Sequence, residues 1–258
     1  MRHVFIGDAG NDRHAPVAVI VGLITDLDTH YRPACHGLAG LLERVPEQHR
    51  GGFIFRAEEI WRSKNLARGW PQEDRQALLQ RLMALARQLG IVSSIAAVRH
   101  SPREARGTGM TPLQARHALA FTLCAGEADR HLRENCGTEL GEVIAEDSPD
   151  SRRILRLCMQ ALKMQVFDSG ESDKVTGEGP IIKPGQFRVE RLINAVHFVE
   201  ATQVPVLQLA DAVAFAFECY FSGEPTGETF VKSVCGPGIT LPSADAAHAR
   251  LMVPQHRM

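Results

Sequence analysis

Between Val204 and Tyr220 the chain reads Val-Pro-Val-Leu-Gln-Leu-Ala-Asp-Ala-Val-Ala-Phe-Ala-Phe-Glu-Cys-Tyr, and this stretch constrains the fold more than any other. Pro205 suits the first turn of a helix, where its missing N–H is not needed, and strong helix formers or large apolar residues follow. Between Val204 and Phe217 the only polar side chains are Gln208 and Asp211. A helix apolar on nearly every face is a buried helix. At three and four residues' spacing Asp211 has Leu207, Gln208, Ala214 and Phe215 as neighbours, so its carboxylate rises from a largely apolar surface. An unpaired buried carboxylate costs roughly several kcal/mol. An arginine, a proton or a metal ion must compensate it.

The rest of the chain alternates strands and helices. Met1 to Gly7 reads as a strand running into the turn Gly7-Asp8-Ala9-Gly10-Asn11-Asp12, which leaves Asp8 at its carboxyl end. The β-branched run Val17 to Thr25 predicts a second strand, paired with the first as a hairpin, and a helix is expected over 30–42. Gly52 to Trp61 reads as a short strand leading into a basic segment with Arg62, Lys64 and Arg68. A long amphipathic helix from Trp70 to Gln88 ends at Gly90, and Ile91 to Val98 is another strand. The spacing then predicts a helix over 112–134, a strand over 141–147 ending in Glu146-Asp147, a helix over 152–164, a glycine-rich loop over 168–187 and a last strand over 189–199. The expected class is α/β, a mixed sheet flanked by helices, over 1–222, with 223–258 a partly ordered tail.

Net charge of −1 argues against a chain that binds nucleic acid through its overall charge, although a local basic face remains open. The six cysteines form no C-x-x-C pair, which reads as reduced thiols. The amino terminus enters a strand with no signal-peptide core, and no apolar run reaches ~18 residues. A cytoplasmic protein with no membrane partner is expected.

Asp8, Asp147 and Asp211 fall at one edge of the sheet if these strands pack together and the last helix lies across them. Clustered carboxylates raise one another's pKa unless a cation intervenes, and oxygen-only ligands favour Mg²⁺ or Mn²⁺ over zinc. Such a site suits two-metal phosphoryl chemistry on a phosphodiester. Arg56, Arg62, Lys64, Arg68, Arg99, Arg103 and Arg106 are the cations expected to border the acids and hold a nucleic-acid backbone, DNA or RNA.

Phe5-Ile6-Gly7-Asp8-Ala9-Gly10, Phe53-Ile54-Phe55-Arg56-Ala57-Glu58-Glu59-Ile60, Ile144-Ala145-Glu146-Asp147 and above all Leu207-Gln208-Leu209-Ala210-Asp211-Ala212-Val213-Ala214-Phe215 carry a resemblance. Over about residues 3–222 the chain resembles the prokaryotic family called domain of unknown function 3800. The resemblance implies an RNase H-like fold, nuclease activity and a divalent metal. By motif position it implies Asp8, Asp147 and Asp211 as metal and catalytic residues, with Glu58 and Glu146 as further candidates. The chain departs from the family pattern at Ala9, where a second acid commonly stands, and at Arg56, where a histidine is usual. Either departure bears on metal binding and activity.

Two other readings compete. A non-catalytic RNase H-like module would bind nucleic acid or a protein through the same fold. Alternatively, the apolar strand Val19–Thr25 followed by Asp26-Leu27-Asp28-Thr29 matches the nucleophile motif of haloacid-dehalogenase-like phosphohydrolases, with Gly7-Asp8-Ala9-Gly10-Asn11-Asp12 resembling their metal motif in the wrong order. That reading requires Asp26 and Asp28 to meet Asp8 and Asp12 in one pocket.

Overall fold

The computed structural model describes residues 1–10, 15–99, 110–163 and 189–253. Its centre is the hairpin of β1 (Arg2–Ala9) and β2 (Val17–Thr25), antiparallel with Asp8 opposite Ile20 and His3 opposite Thr25. Every residue of β2 is buried. Both of its faces are therefore covered, which is why it reads as an unbroken apolar run and not as an alternation. Beyond β2 lie β3 (Val92–Arg99) and β6 (His248–Val253), both antiparallel to their neighbours. On the other side of β1, β4 (Gly141–Glu146) and β5 (Leu192–Val199) run parallel to it, giving the order β5-β4-β1-β2-β3-β6.

The sheet divides the core in two. On one face Phe5, Val19, Val21 and Leu23 pack against α7 (Pro205–Phe221); on the other Val4, Ile6, Ile20 and Ile24 pack against α5 (Pro112–Asn135) and α6 (Pro149–Lys163). The period-two alternation of β1 and β2 thus feeds two cores. Beyond α7 lie α1 (Leu27–Leu42), α4 (Gln72–Gln88) and α8 (Gly227–Cys235), so α7 is enclosed, as its composition requires. The short helices α2 (Glu47–Arg50) and α3 (Ala57–Arg62) complete the long connection between β2 and β3.

Two expectations change. Gly52 to Trp61 is not a strand: residues 53–56 are irregular and Ala57–Arg62 is α3. The neighbouring places beside β3 are already taken by β2 and β6, and the segment docks on α7 instead. Gln208 Oε1 accepts the Phe55 N–H at 3.0 Å, and its Nε2 donates to the Ala201 carbonyl at 3.1 Å. Phe53 and Phe55 meet edge to face at 5.2 Å. The segment after Phe221, expected as a partly ordered tail, carries α8 and β6 as far as Val253. Phe230, Val231 and Val234 of α8 are buried, and β6 pairs along β3 from Val98 to Ser93. The glycines and prolines around these elements mark the turns between them. The loop expected over 168–187 lies outside the described residues.

Candidate functional site

Asp8 sits near the end of β1, and the parallel register that sets Ile6 beside Ala145 brings the end of β4, Glu146, alongside. The third acid depends on a glycine. A Cβ built on Gly7 would lie 2.2 Å from the Ala210 carbonyl carbon and 2.4 Å from the Asp211 nitrogen, so only glycine admits the α7 backbone this close to β1. This approach brings the Asp211 carboxyl near the Asp8 backbone N–H, whose dipole favours the charged form.

Asp8, Glu146 and Asp211 line a cleft of about 470 Å³ together with Arg56, Glu58, Glu59, Arg62 and Phe215. Burial pushes the Asp211 carboxyl well above the usual carboxylate range, and the charges of Asp8 and Glu146 push it further; Arg56 and the Asp8 N–H only partly oppose them. Arg56 Nη2 lies 2.6 Å from Glu146 Oε1, and this hydrogen bond raises the guanidinium's pKa. Glu58 is exposed at the rim, where it pairs with Arg62 at 2.8 Å.

Asp147 stands elsewhere. It is exposed, its carboxylate is paired with Arg152 of α6, whose Nε lies 2.9 Å from Oδ1, and it does not line the cleft. Hydrogen bonding to Arg152 holds its pKa below the usual carboxylate range. The cause is the pleat: Gly141, Val143 and Ala145 are buried on the α5–α6 face, while Glu142, Ile144 and Glu146 take the opposite parity, toward α7. Glu146, the secondary candidate, therefore takes the place assigned to Asp147.

The cations also divide. Arg62 borders the cleft but is held by Glu58, by Glu218 at 2.9 Å and by Glu224 at 2.5 Å, with its guanidinium 5.2 Å over the Phe215 ring. It serves as a structural tie more than as a spare cation. Arg99 lies two strands from Asp8 and donates to the carbonyls of Phe221 at 2.6 Å and Ala244 at 2.5 Å, closing the end of α7. It is therefore a cap and does not face the acids. Lys64 and Arg68 are exposed in the segment after α3, and Ser63 beside Lys64 lines the cleft. Arg103 and Arg106 lie outside the described residues.

Two features escaped the sequence. His117 of α5 is buried with Nδ1 3.8 Å from Asp8 Oδ2, and burial lowers its pKa. Arg116 beside it donates to the carbonyls of Ala15 at 2.7 Å and Gly10 at 3.2 Å, tying the residue after β1 to one shortly before β2. Nothing in a helical Arg-His pair announces either role. Among the described residues, the one group with ligand atoms all within 4.8 Å of one another is Glu218, Cys219 and Glu224. Arg62 already supplies its positive charge, and burial pushes the Cys219 thiol's pKa upward, so the group reads as an ion-pair network.

The phosphohydrolase arrangement is absent among the described residues. Asp26 caps α1 by accepting the Asp28 N–H at 3.1 Å and pairs with Arg2 at 3.3 Å. It follows Thr25, which faces His3, so about five residues of strand, roughly 17 Å, separate it from Asp8. Asp12 lies outside the described residues.

A scan against protein-family models finds no match, and searches of curated proteins and of solved structures find none. The reading of the site rests on its own residues. Among the described residues no helix is long and apolar enough to cross a membrane.

Proposed function

We propose that the chain is a metal-dependent nuclease of RNase H-like type, cutting nucleic-acid phosphodiesters at Asp8, Glu146 and Asp211. The observation that carries this reading is the convergence of three carboxylates on one cleft, where Asp211 is driven toward its neutral form by burial and by its neighbours' charge. The order β3-β2-β1-β4-β5 within the sheet, with β2 alone reversed, supports the RNase H-like fold that the resemblance implies, with α1–α4 as an insertion between β2 and β3.

The donor set is oxygen only, which suits Mg²⁺ or Mn²⁺. Asp8, Glu146 and Asp211, whose ligand atoms do not all lie within 4.8 Å of one another, would draw together to hold the ion, with Glu58 or Glu59 available from the rim. A bound ion would supply Lewis-acid stabilisation of the phosphate and a more acidic water. The chain's own work is positional: Gly7 admits the α7 backbone against β1, which sets Asp211 beside Asp8. Arg56 is placed to exchange Glu146 for a phosphate oxygen, a pairing for which its planar fork is suited.

One observation favours a second reading, a binding module without catalysis: Arg56 stands 2.6 Å from Glu146, where it already offsets part of the acidic charge. A nuclease assay of purified protein with Mg²⁺ or Mn²⁺ on single- and double-stranded DNA and RNA separates the two. Hydrolysis abolished by Asp211→Asn and Glu146→Gln is expected for the nuclease; binding without hydrolysis, unchanged by these substitutions, contradicts it.

A further inference from the structure

Asp8 and Glu146 border a second cavity on the opposite side from Arg56. It has a volume of about 330 Å³ and lies between the ends of β1 and β4 and the first turns of α5 and α6. Its character differs from that of the acid cleft. Ile6, Leu113, Ile154 and Leu155 form apolar walls, Thr111, Gln114, Ser148 and Ser151 supply uncharged polar groups beside the buried His117, and among the described residues no lysine or arginine lines it. Gln114 is held in place because its Oε1 accepts the Thr111 N–H at 3.0 Å, which leaves the amide nitrogen as a donor. Among these described groups a phosphate finds no lysine or arginine. A flat, uncharged heterocycle finds apolar side chains from β1, α5 and α6 and polar groups for its edge.

We propose that this cavity receives one unpaired nucleoside of the substrate strand, the neighbour of the phosphate held at Asp8 and Glu146. The inference rests on the nucleolytic reading and narrows its substrate to single-stranded nucleic acid. Continuity decides the occupant: the two cavities share the two acids, so a strand whose phosphate lies between them has its backbone on the Arg56 side and its base on the other. Size excludes a pair. The volume is near the lower end for small-molecule sites, roughly 300–1,000 Å³, so one base enters and its partner must be absent or stripped away. Duplex substrates carry that unpairing cost, and single strands do not.

The test is fluorescence anisotropy of the full chain, with Ca²⁺ at low salt, on three probes: a short labelled single strand, the same strand with one abasic nucleotide walked along it, and a blunt duplex. Ser151→Leu narrows the cavity from the first turn of α6 without touching the acids, and its melting temperature verifies that it folds. The expected result is that the single strand binds more tightly than the duplex and that one abasic register weakens binding by about tenfold. Ser151→Leu should bring the intact strand to that weakened level and add nothing to the abasic one. Equal binding at every abasic register, or an unaffected Ser151→Leu protein, overturns the base cavity; continued Mg²⁺-dependent cutting sensitive to Asp211→Asn would then leave the nuclease reading standing. Absence of binding to any strand overturns both.

Discussion

Gly7→Ala tests how the site is assembled. The added methyl would meet backbone atoms of α7, the Ala210 carbon at 2.2 Å and oxygen at 2.5 Å and the Asp211 nitrogen at 2.4 Å, where ordinary contact begins near 3.4 Å. The helix must therefore retreat by about 1 Å, yet α1, α4 and α8 lie behind it. Overpacking of this kind costs about 1–3 kcal/mol, and a clash against buried backbone belongs at the upper end. For a chain of this size that lowers Tm by about 6–12 °C. Thermal and urea denaturation measure it. Gly22→Ala is the control, because its methyl would meet side-chain atoms, Val4 Cγ1 at 3.0 Å and Cys124 Sγ at 3.2 Å, which can give way. Ala210→Gly should not rescue Gly7→Ala, since the clash is with backbone. A retreat of ~1 Å also parts Asp211 from Asp8, so activity should fall by about 10²-fold in whatever protein remains folded. A Gly7→Ala protein as stable as Gly22→Ala would refute the close packing of α7 on β1.

Glu146→Gln and Asp147→Asn should separate in the nuclease assay, the first losing hydrolysis and the second retaining it within a few-fold; equal losses would restore Asp147 to the site. Gln208→Leu strands the buried Phe55 N–H and Ala201 carbonyl and should cost about 2–6 kcal/mol in urea denaturation, at roughly 1–3 kcal/mol for each unsatisfied group. Arg62→Met leaves Glu218, only 5% exposed, beside Glu224 and should cost about 2 kcal/mol, below the fully buried range because Arg62 is itself partly exposed. The double variant with Glu218→Gln should recover much of that loss.

What could be read from the sequence followed from how each signal arises. The apolar run of β2 and the all-round apolar helix α7 state their burial directly, and both lie where they were expected. The Phe53-Ile54-Phe55 run looks like a strand because a short apolar run carries no period, and only the long-range bond from Gln208 makes it a docked segment. The segment after Phe221 looks loose because its glycines and prolines outweigh a nine-residue helix and a strand at the sheet edge. At the site, Asp8 and Asp211 were legible from strand end and helix burial. The choice between Glu146 and Asp147 turns on a single step of the pleat, which adjacent acids leave ambiguous. Arg62 and Arg99 read as spare cations because, Glu58 apart, their carboxylate and carbonyl partners lie more than a hundred residues away.

The Tm of wild type and Asp211→Asn in EDTA and in Mn²⁺ tests most directly the proposal that Asp211 is a cation ligand. Because the folded pKa of Asp211 lies above its unfolded value of about 3.9, the folded state binds the extra proton between the two values. Metal-free stability is therefore highest below the unfolded pKa and is lost as pH rises through the folded one. Asparagine removes that loss, about 1.4 kcal/mol for each tenfold by which folding tightens the carboxyl's hold on its proton, while keeping an oxygen near the Asp8 N–H. The account predicts that at neutral pH Asp211→Asn melts above the wild type in EDTA, that the difference vanishes at acid pH, and that Mn²⁺ raises the Tm of the wild type alone. A metal-free Asp211→Asn protein destabilised by about 3–5 kcal/mol, as expected if the substitution strands a buried arginine, with a wild type indifferent to Mn²⁺, would contradict it.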